Sequence, residues 1–406
     1  MPYSFHKPSD FIDKESVFLI QVTSLPKEKY LKYIFYAQVR QIDGYPLSFR
    51  VKVNDFSRRD VQYRDIYLVK GRLTKFTFKK FCFYTLWLKK NAYLEKRSPN
   101  FIDNFIRNIT YHIVLYFRKY LSDDAYGFLS AVFLGRRELA REQMKFVFRG
   151  AGIAHLFAIS GLHVGLISSI LFFILKIFRI KFRLRLLISI FFMFLYVLCT
   201  GGRPSIVRSA LMFSFLGGSF FLKRRISLLD TLSTTGIVCL LLNPLWVFDL
   251  GFKFSFLAVF AILMGFSLFP LKSIGTKLFF VYIKGIFFST LYVTIILLPL
   301  ISFYFGKIYL LSIISNILLI PLFTFILIIG VIFLCFYFVP FLAEVLSEVV
   351  SVSVSFFMKL SFLLSSFRVS VIDIYFSEWL VFIYYIVIIG IVLCVFRERI
   401  RKFIVI

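Results

Sequence analysis

Charge is scarce in this chain. Asp, Glu, Lys and Arg make up 17% of its 406 residues, where soluble domains carry about a quarter. Histidine is scarcer still, with four in all: His6, His112, His155 and His163. Neither HExxH nor HxHxDH occurs, which excludes zincin chemistry and predicts no metal site. The five cysteines, Cys82, Cys199, Cys239, Cys335 and Cys394, include no CxxC pair. The last four stand in apolar runs, where Cys serves as a small hydrophobe, so no disulfide or metal framework follows. No Walker A loop occurs, and with it goes any ATPase of the chain's own. Acid is the rarest charge. Against 49 Lys and Arg stand 21 Asp and Glu, a formal charge of +28. Such a balance calls for an anionic partner, either lipid headgroups or nucleic acid.

What is present in excess is apolar. Hydrophobic residues make up 59% of the chain, and 56 of them are Phe. That composition is a polytopic membrane protein's. The two parts differ, however. Residues 1–150 carry 28 basic and 14 acidic side chains and no apolar run near the ~20 residues a span requires. Residues 151–406 carry 21 and 7, between long apolar runs.

In the first part, residues 34–42, 47–53, 61–73 and 75–83 alternate β-branched and aromatic residues with polar ones. Asp43-Gly44, Asn54-Asp55 and Gly71 provide turn signals between them. The spacing predicts a small β-barrel or sandwich over residues 1–97. Arg40, Arg50, Lys52, Arg64, Lys70, Arg72, Lys75, Lys79 and Lys80 fall on water-facing positions, with Tyr63, Tyr67, Phe76 and Phe78 interleaved. Two readings stand side by side: rings filling a core under a solvated basic face, or a basic groove with stacking rings for single-stranded nucleic acid. Residues 98–150 read as amphipathic helices suited to a membrane interface, with Ser122-Asp123-Asp124 a cap for a helix from Ala125.

In the second part, nine spans are expected, at residues 153–177, 184–200, 205–222, 227–243, 248–270, 278–302, 308–338, 341–366 and 379–396. The seventh is too long for one straight crossing and contains Pro321, which predicts a kink or a re-entrant segment. The eighth is Ser-rich. Counting loop Lys and Arg puts fourteen on one side against Arg203, Lys307 and Arg368 on the other. The positive-inside rule then places the C-terminus inside and residues 1–150 outside.

Polar residues within apolar runs carry the functional information, because each buried charge costs about 2.5–3.5 kcal/mol on insertion scales. These are His155, His163, Arg208, Asp230, Asp249, Lys253 and Lys284. Asp249 and Lys253, four apart, suit a local pair. Arg208 suits a salt bridge to Asp249 or Asp230, or a place on a charged route. Gly161 and Gly165 form a GxxxG surface for close helix packing, and Pro204 suits a first helical turn.

These residues lie in a recognisable order. His155-Leu-Phe-Ala-Ile-Ser160-Gly161-Leu-His163-Val-Gly165 resembles the signature helix of the ComEC competence family. Thr200-Gly-Gly-Arg203-Pro-Ser-Ile-Val-Arg208-Ser-Ala resembles its TG…PS..RA segment. Asn243-Pro-Leu-Trp-Val-Phe-Asp249-Leu-Gly-Phe-Lys253-Phe-Ser-Phe resembles its NP….D.GFQLSF segment, with Lys253 in place of the usual Gln. Pro299, Phe305-Gly306, Asn316 and Pro321 follow its later pattern. Residues 64–73, from Arg64 to Lys70, Gly71 and Arg72, are similar to part of the family's external OB-like domain. The resemblance covers roughly residues 120–325.

The resemblance implies a multi-pass channel in the bacterial cytoplasmic membrane that imports single-stranded DNA during natural transformation. It implies no cofactor and no catalytic residue. This sequence is similar to a short form without the family's metallo-β-lactamase-like domain and without the spans that usually precede the OB-like domain. Arg203, Arg208, Asp249 and Lys253 become the expected DNA-path or gating residues. His155, Ser160, Gly161, His163 and Gly165 form the signature helix, and Arg64, Lys70 and Arg72 guide the strand outside. Expected partners are single-stranded DNA, the lipid bilayer, an external DNA receptor, a cytoplasmic helicase or single-strand-binding protein, and a second copy of the chain. The alternatives are a small-solute or lipid transporter and an inactive remnant. Ala158-Ile-Ser160-Gly161 approaches a serine-protease GxSG, but position 158 is Ala and no His follows His163.

Overall fold

The computed structural model describes residues 8–24, 26–29, 32–57, 61–78, 81–97, 100–157, 159–223, 226–268, 278–367 and 371–404. Lys79, Lys80, Ala158 and Arg368 lie outside them, as do the side chains of Phe76, Phe78, Cys82 and Cys394. The chain forms two compact units, residues 1–117 and 118–406.

The first unit is built on strands β1 (Glu15–Val22), β2 (Lys27–Lys29), β3 (Lys32–Ile42), β4 (Tyr45–Asp55), β5 (Ile66–Phe78) and β6 (Phe81–Arg97). Helix α1 (Phe101–Tyr120) follows. The neighbours run β1-β5-β6-β4-β3-β2, and β1 pairs β3 as well, which closes five long strands into a barrel. Among the described strands, β4 and β6 pair in parallel and the other pairings are antiparallel. Alternation makes the barrel: Phe18, Ile20 and Val22 point inward from β1, Phe35, Ala37 and Val39 from β3, Leu86 and Leu88 from β6. Asp43 and Gly44 both have positive φ, 48° and 86°, the requirement of a two-residue hairpin loop. The Gly71 turn signal proves to be something else. β5 runs unbroken through Gly71, where the register shifts, and a Cβ there would lie 2.8 Å from the Trp87 carbonyl oxygen. Gly marks a close backbone approach at a bulge.

Asp65 ties α1 to the barrel. Its fully buried carboxylate accepts from Tyr67 Oη at 2.9 Å and Arg107 Nη1 at 2.8 Å, and pairs with Lys96 Nζ at 2.6 Å. A second tie joins Arg64 to Asp103.

The second unit opens with α2 (Asp123–Leu134) and α3 (Glu142–Gly150). The helix starts at Asp123, two residues before Ala125, and Ser122 makes no side-chain cap bond. Asp123 and Asp124 instead bind Arg141. Among the described residues, nine helices follow: α4 (Gly161–Ile177), α5 (Phe182–Cys199), α6 (Pro204–Leu222), α7 (Leu228–Leu242), α8 (Leu250–Leu268), α9 (Leu278–Phe305), α10 (Ser312–Cys335), α11 (Pro340–Ser366) and α12 (Glu378–Ile404). Each sits at an expected span. Among the described residues, five are long and apolar enough to cross a membrane: α5, α8, α10, α11 and the Phe280–Phe305 part of α9. Five of the nine expected spans meet that measure. α4 and α7 have 17 and 15 residues, or about 25 and 22 Å at 1.5 Å per residue, short of a ~30 Å core. α6 carries Arg208 in its second turn, and the apolar part of α12 is Glu378–Val392.

The expected seventh span also changes. Ile308–Tyr309 forms a strand, β7, paired antiparallel with β8 (Val371–Ile372). What remains, α10, is one continuous 24-residue helix with Pro321 inside it. The Ser-rich α11 hides its hydroxyls locally, with Ser347, Ser353 and Ser361 donating to carbonyls one turn back. The pairing of β7 with β8 is reinforced on both sides. Ser302 Oγ donates to the Ile374 carbonyl (2.7 Å) and accepts from Phe376 N–H (3.1 Å). Lys307 pairs with Asp373 at 3.7 Å.

Removing the buried carboxylate, Asp65→Ala, is expected to destabilise the first unit by about 3 kcal/mol, since two cations lose their counter-charge. It is read as loss of sheet circular dichroism at lower temperature. Asp13→Ala, at an exposed pair, is the control and shifts little.

Candidate functional site

The signature stretch enters α4 through a short 3-10 turn, Ala154–Phe157, which carries His155. Ser160 is the N-cap, in extended conformation. Its backbone N–H donates to His163 Nδ1 at 3.1 Å, and its Oγ lies 3.1 Å from the same nitrogen. An Nδ1 that accepts leaves the ring hydrogen on Nε2. His163 is fully buried, and Nε2 has no hydrogen-bond partner among the described residues. The imidazole instead meets the Phe323 ring edge-on, with centroids 5.2 Å apart.

Arg208 lies one helix over, 4% exposed. Its Nε donates to Ser255 Oγ of α8 at 2.9 Å, and Nη2 to Ser209 Oγ at 3.2 Å. Nη1 stands 3.4 Å from Met212 Sδ, and the guanidinium carbon 5.8 Å from the Phe256 ring centre. Among the described residues no carboxylate reaches it. Asp249 accepts the Phe252 N–H at 2.9 Å and caps α8. Asp230 stands in the first turn of α7, its N–H donated to Ser227 Oγ. The expected salt bridge from Arg208 is therefore replaced by hydroxyls, a thioether and an aromatic face. The expected Asp249–Lys253 pair is replaced too, since Lys253 Nζ reaches Tyr304 Oη of α9 at 3.3 Å.

Gly161 brings the two helices together. A Cβ there would lie 3.1 Å from both Arg208 Nη2 and Ser209 Oγ. Ser205 Oγ adds a bond from α6 to the Ile159 carbonyl at 3.1 Å. Gly165, the other half of the GxxxG, meets nothing within 4 Å, so only Gly161 serves packing within the chain. The centre thus gathers Ser160, Gly161 and His163 of the signature with Arg208, Ser209 and Ser255. Ser209 and Ser255 were not legible as site residues. Their signal is serine at the helical phase of a buried arginine's partners, and it needs the helix pairing to be known.

Arg203 does a different task. Gly201 and Gly202 take positive φ of 83° and 62° and reverse the chain. Pro204 then begins α6. Arg203 Nη2 donates to the Gly135 carbonyl at 2.8 Å, pinning this turn to the end of α2.

On the barrel, Arg64 is turned inward. Burial opposes its charge, but Tyr63 and Asp103 more than offset this and raise its pKa above the ordinary arginine value. Lys70 and Arg72 remain largely exposed, 3.5 Å from Glu15 and 3.6 Å from Asp13. They line a groove of about 460 Å³ that also takes in Phe56, Trp87 and Lys89.

The motifs that build the buried centre, from the signature turn to Ser255, fall within residues 132–398, which match a family model described as Competence protein. The chain belongs to the competence protein family. ComE operon protein 3 of Bacillus subtilis (strain 168) is 31% identical over 215 residues, covering 53% of this chain and 27% of that relative. The chain thus matches about a quarter of the relative's length. No solved structure matches. In this competence-family chain, the side chain of Arg208, on α6, meets α4 at Gly161 and α8 at Ser255.

A buried guanidinium without a carboxylate adds little to stability, and an apolar residue of similar length often serves as well or better. Arg208→Met is expected to leave the thermal midpoint of the purified protein unchanged or higher. A counter-charge hidden in the bundle would instead give a loss of about 3–5 kcal/mol.

Proposed function

We propose that this chain is the channel through which single-stranded DNA crosses the cytoplasmic membrane during natural transformation. The observation that carries the reading is the buried, carboxylate-free guanidinium of Arg208 at the heart of a competence-family helical domain. A full positive charge held by neutral groups keeps its attraction for an anion, and a DNA strand presents one phosphate per nucleotide. Lys253, bonded to the Tyr304 phenol, adds a second cation on α8. Asp249 sets the start of that helix, and Arg203 sets the start of α6. Ser160, Gly161 and His163 fix the angle at which α4 meets α6.

The domains follow. Residues 1–97 form the OB-like module, residues 98–150 interfacial helices, and residues 151–406 the membrane domain of nine helices, with α4, α6, α7 and α12 completing the five longer spans. The OB-like reading is supported by the closed order β1-β3-β4-β6-β5-β1 with one parallel pairing, which is a five-stranded Greek-key barrel. The loop charges favour a C-terminus in the cytoplasm and the barrel outside, where Lys70 and Arg72 guide the arriving strand. The channel has no catalytic role of its own. An external receptor delivers the DNA, a cytoplasmic helicase or single-strand-binding protein draws it in, and a second copy of the chain completes the assembly.

The test is import of labelled double-stranded DNA into a DNase-protected cytoplasmic pool. The wild-type strain should accumulate label, and a deletion strain should leave it outside. Arg208→Met and Lys253→Met, made at wild-type protein level, should each reduce import at least tenfold. Equal import by wild type and deletion would overturn the reading in favour of a solute transporter.

A further inference from the structure

We propose that Tyr384 and Tyr385 of α12 are positioning residues for Lys253, acting through a break that Pro299 makes in α9. The inference rests on the import reading, which puts Lys253 on the route. Proline has no N–H to give. Pro299, inside α9, therefore leaves the carbonyl of Ile295, four residues back, without its helical donor. In hydrocarbon that carbonyl has no water to turn to. Tyr384 Oη donates to it at 2.9 Å. Tyr385 Oη donates to the next carbonyl, that of Ile296, also at 2.9 Å. In an unbroken helix every interior carbonyl is already engaged by the chain itself. The Tyr384 hydroxyl thus meets the carbonyl that the proline vacates, and that coincidence is what singles the pair out.

The two tyrosines work as a pair. Consecutive residues of a helix point about 100° apart, so side chains that reach neighbouring carbonyls of one partner spread across it rather than touch it at one point. Their rings stand at 90° to each other, with centres 6.1 Å apart. Around them Phe382, Ile383, Ile386 and Val387 are each more than half exposed. It is by these hydroxyls, more than by a buried apolar face, that this part of α12 meets α9.

On either side of Pro299, α9 is fixed to different parts of α8. Before it, the Tyr292 ring covers Gly265, where a Cβ would lie 2.2 Å from the ring. After it, Tyr304 Oη accepts from Lys253 Nζ at 3.3 Å, with the ammonium 5.7 Å from the ring centre. Phe305 stacks on Phe254 beside it, centroids 6.0 Å apart. A helix bends most easily where a proline interrupts its ladder. The angle between the two halves therefore decides where Tyr304 holds Lys253, and the hydroxyls of Tyr384 and Tyr385 fix that angle.

The experiment follows amide hydrogen exchange of residues 300–305 by mass spectrometry, on the full chain in nanodiscs of zwitterionic lipid. The double variant Tyr384→Phe/Tyr385→Phe keeps both rings and removes only the hydroxyls. It should speed that exchange about fivefold or more. Pro299→Ala returns an N–H to the Ile295 carbonyl, and on that background the same double variant should change exchange by less than about twofold. In the import assay, at wild-type protein level, the double variant should lower import about threefold or more, and should lower it no further where Lys253 is already replaced by Lys253→Met. The proposal is overturned if the double variant exchanges as wild type, or if it speeds exchange equally with and without the proline. It is overturned as well if import is unchanged, or if import falls as far on the Lys253→Met background as on the wild type. Equal import by wild-type and deletion strains would remove the import reading alone, and the exchange comparison would still decide whether the tyrosine pair sets α9.

Discussion

Five phenylalanine rings meet at Phe128, and the helical unit is arranged around them. Phe148, Phe157, Phe323 and Phe357 each lie within 6.2 Å of it, centre to centre, mostly edge to face. All five are almost wholly buried. They come from α2, α3, the turn before α4, α10 and α11, so this contact gathers elements more than two hundred residues apart. Edge-to-face rings resist sliding better than aliphatic side chains do, because the attraction depends on their relative angle. Phe323 then packs in a T-shaped contact with His163, which accepts the Ser160 N–H and so sets where α4 begins. The start of α4 decides where Gly161 meets α6, and that contact decides where the Arg208 guanidinium rests. An apolar cluster thus positions a polar centre that it touches through Phe323 and His163.

The barrel solves a related problem by opposite means. There one fully buried carboxylate, Asp65, draws a tyrosine, an arginine and a lysine inward and seats α1. In the helical unit the buried charge is the cation, and no acid answers it among the described residues. The same physical rule, that a charge out of water needs a partner, is met by ion pairs in one unit and by hydroxyls, a thioether and an aromatic face in the other.

Much of this was legible in the residues. Each of the nine apolar runs coincides with a helix among the described residues, and period-two alternation marks the barrel strands. What escaped involved contacts across elements. The four-residue spacing of Asp249 and Lys253 suggests a pair, but Asp249 sits at the mouth of α8, where the free N–H of Phe252 competes for its oxygen. The salt bridge expected of Arg208 failed because the side chain meets Ser255, forty-seven residues on, through a helix pairing that no local pattern encodes. Arg64 reads as a surface cation, yet its backbone takes φ of +67° and turns it toward Asp103. Trp87 lay past the expected strand end at Phe83, since Lys89, Lys90 and Asn91 obscure an alternation that continues to Arg97.

The small sheet of β7 and β8 has a mechanical consequence. Paired with the Ser302 bonds and the Lys307–Asp373 contact, it buckles the chain just before α10 to the chain just after α11. Those two helices and the segments between form a closed loop whose ends are fastened to each other. A loop fastened at its base loses the freedom of its ends to part, so α10 and α11 can tilt or shift against their neighbours only as one stiff hairpin, carrying Phe323 and Phe357 together like two teeth on one key.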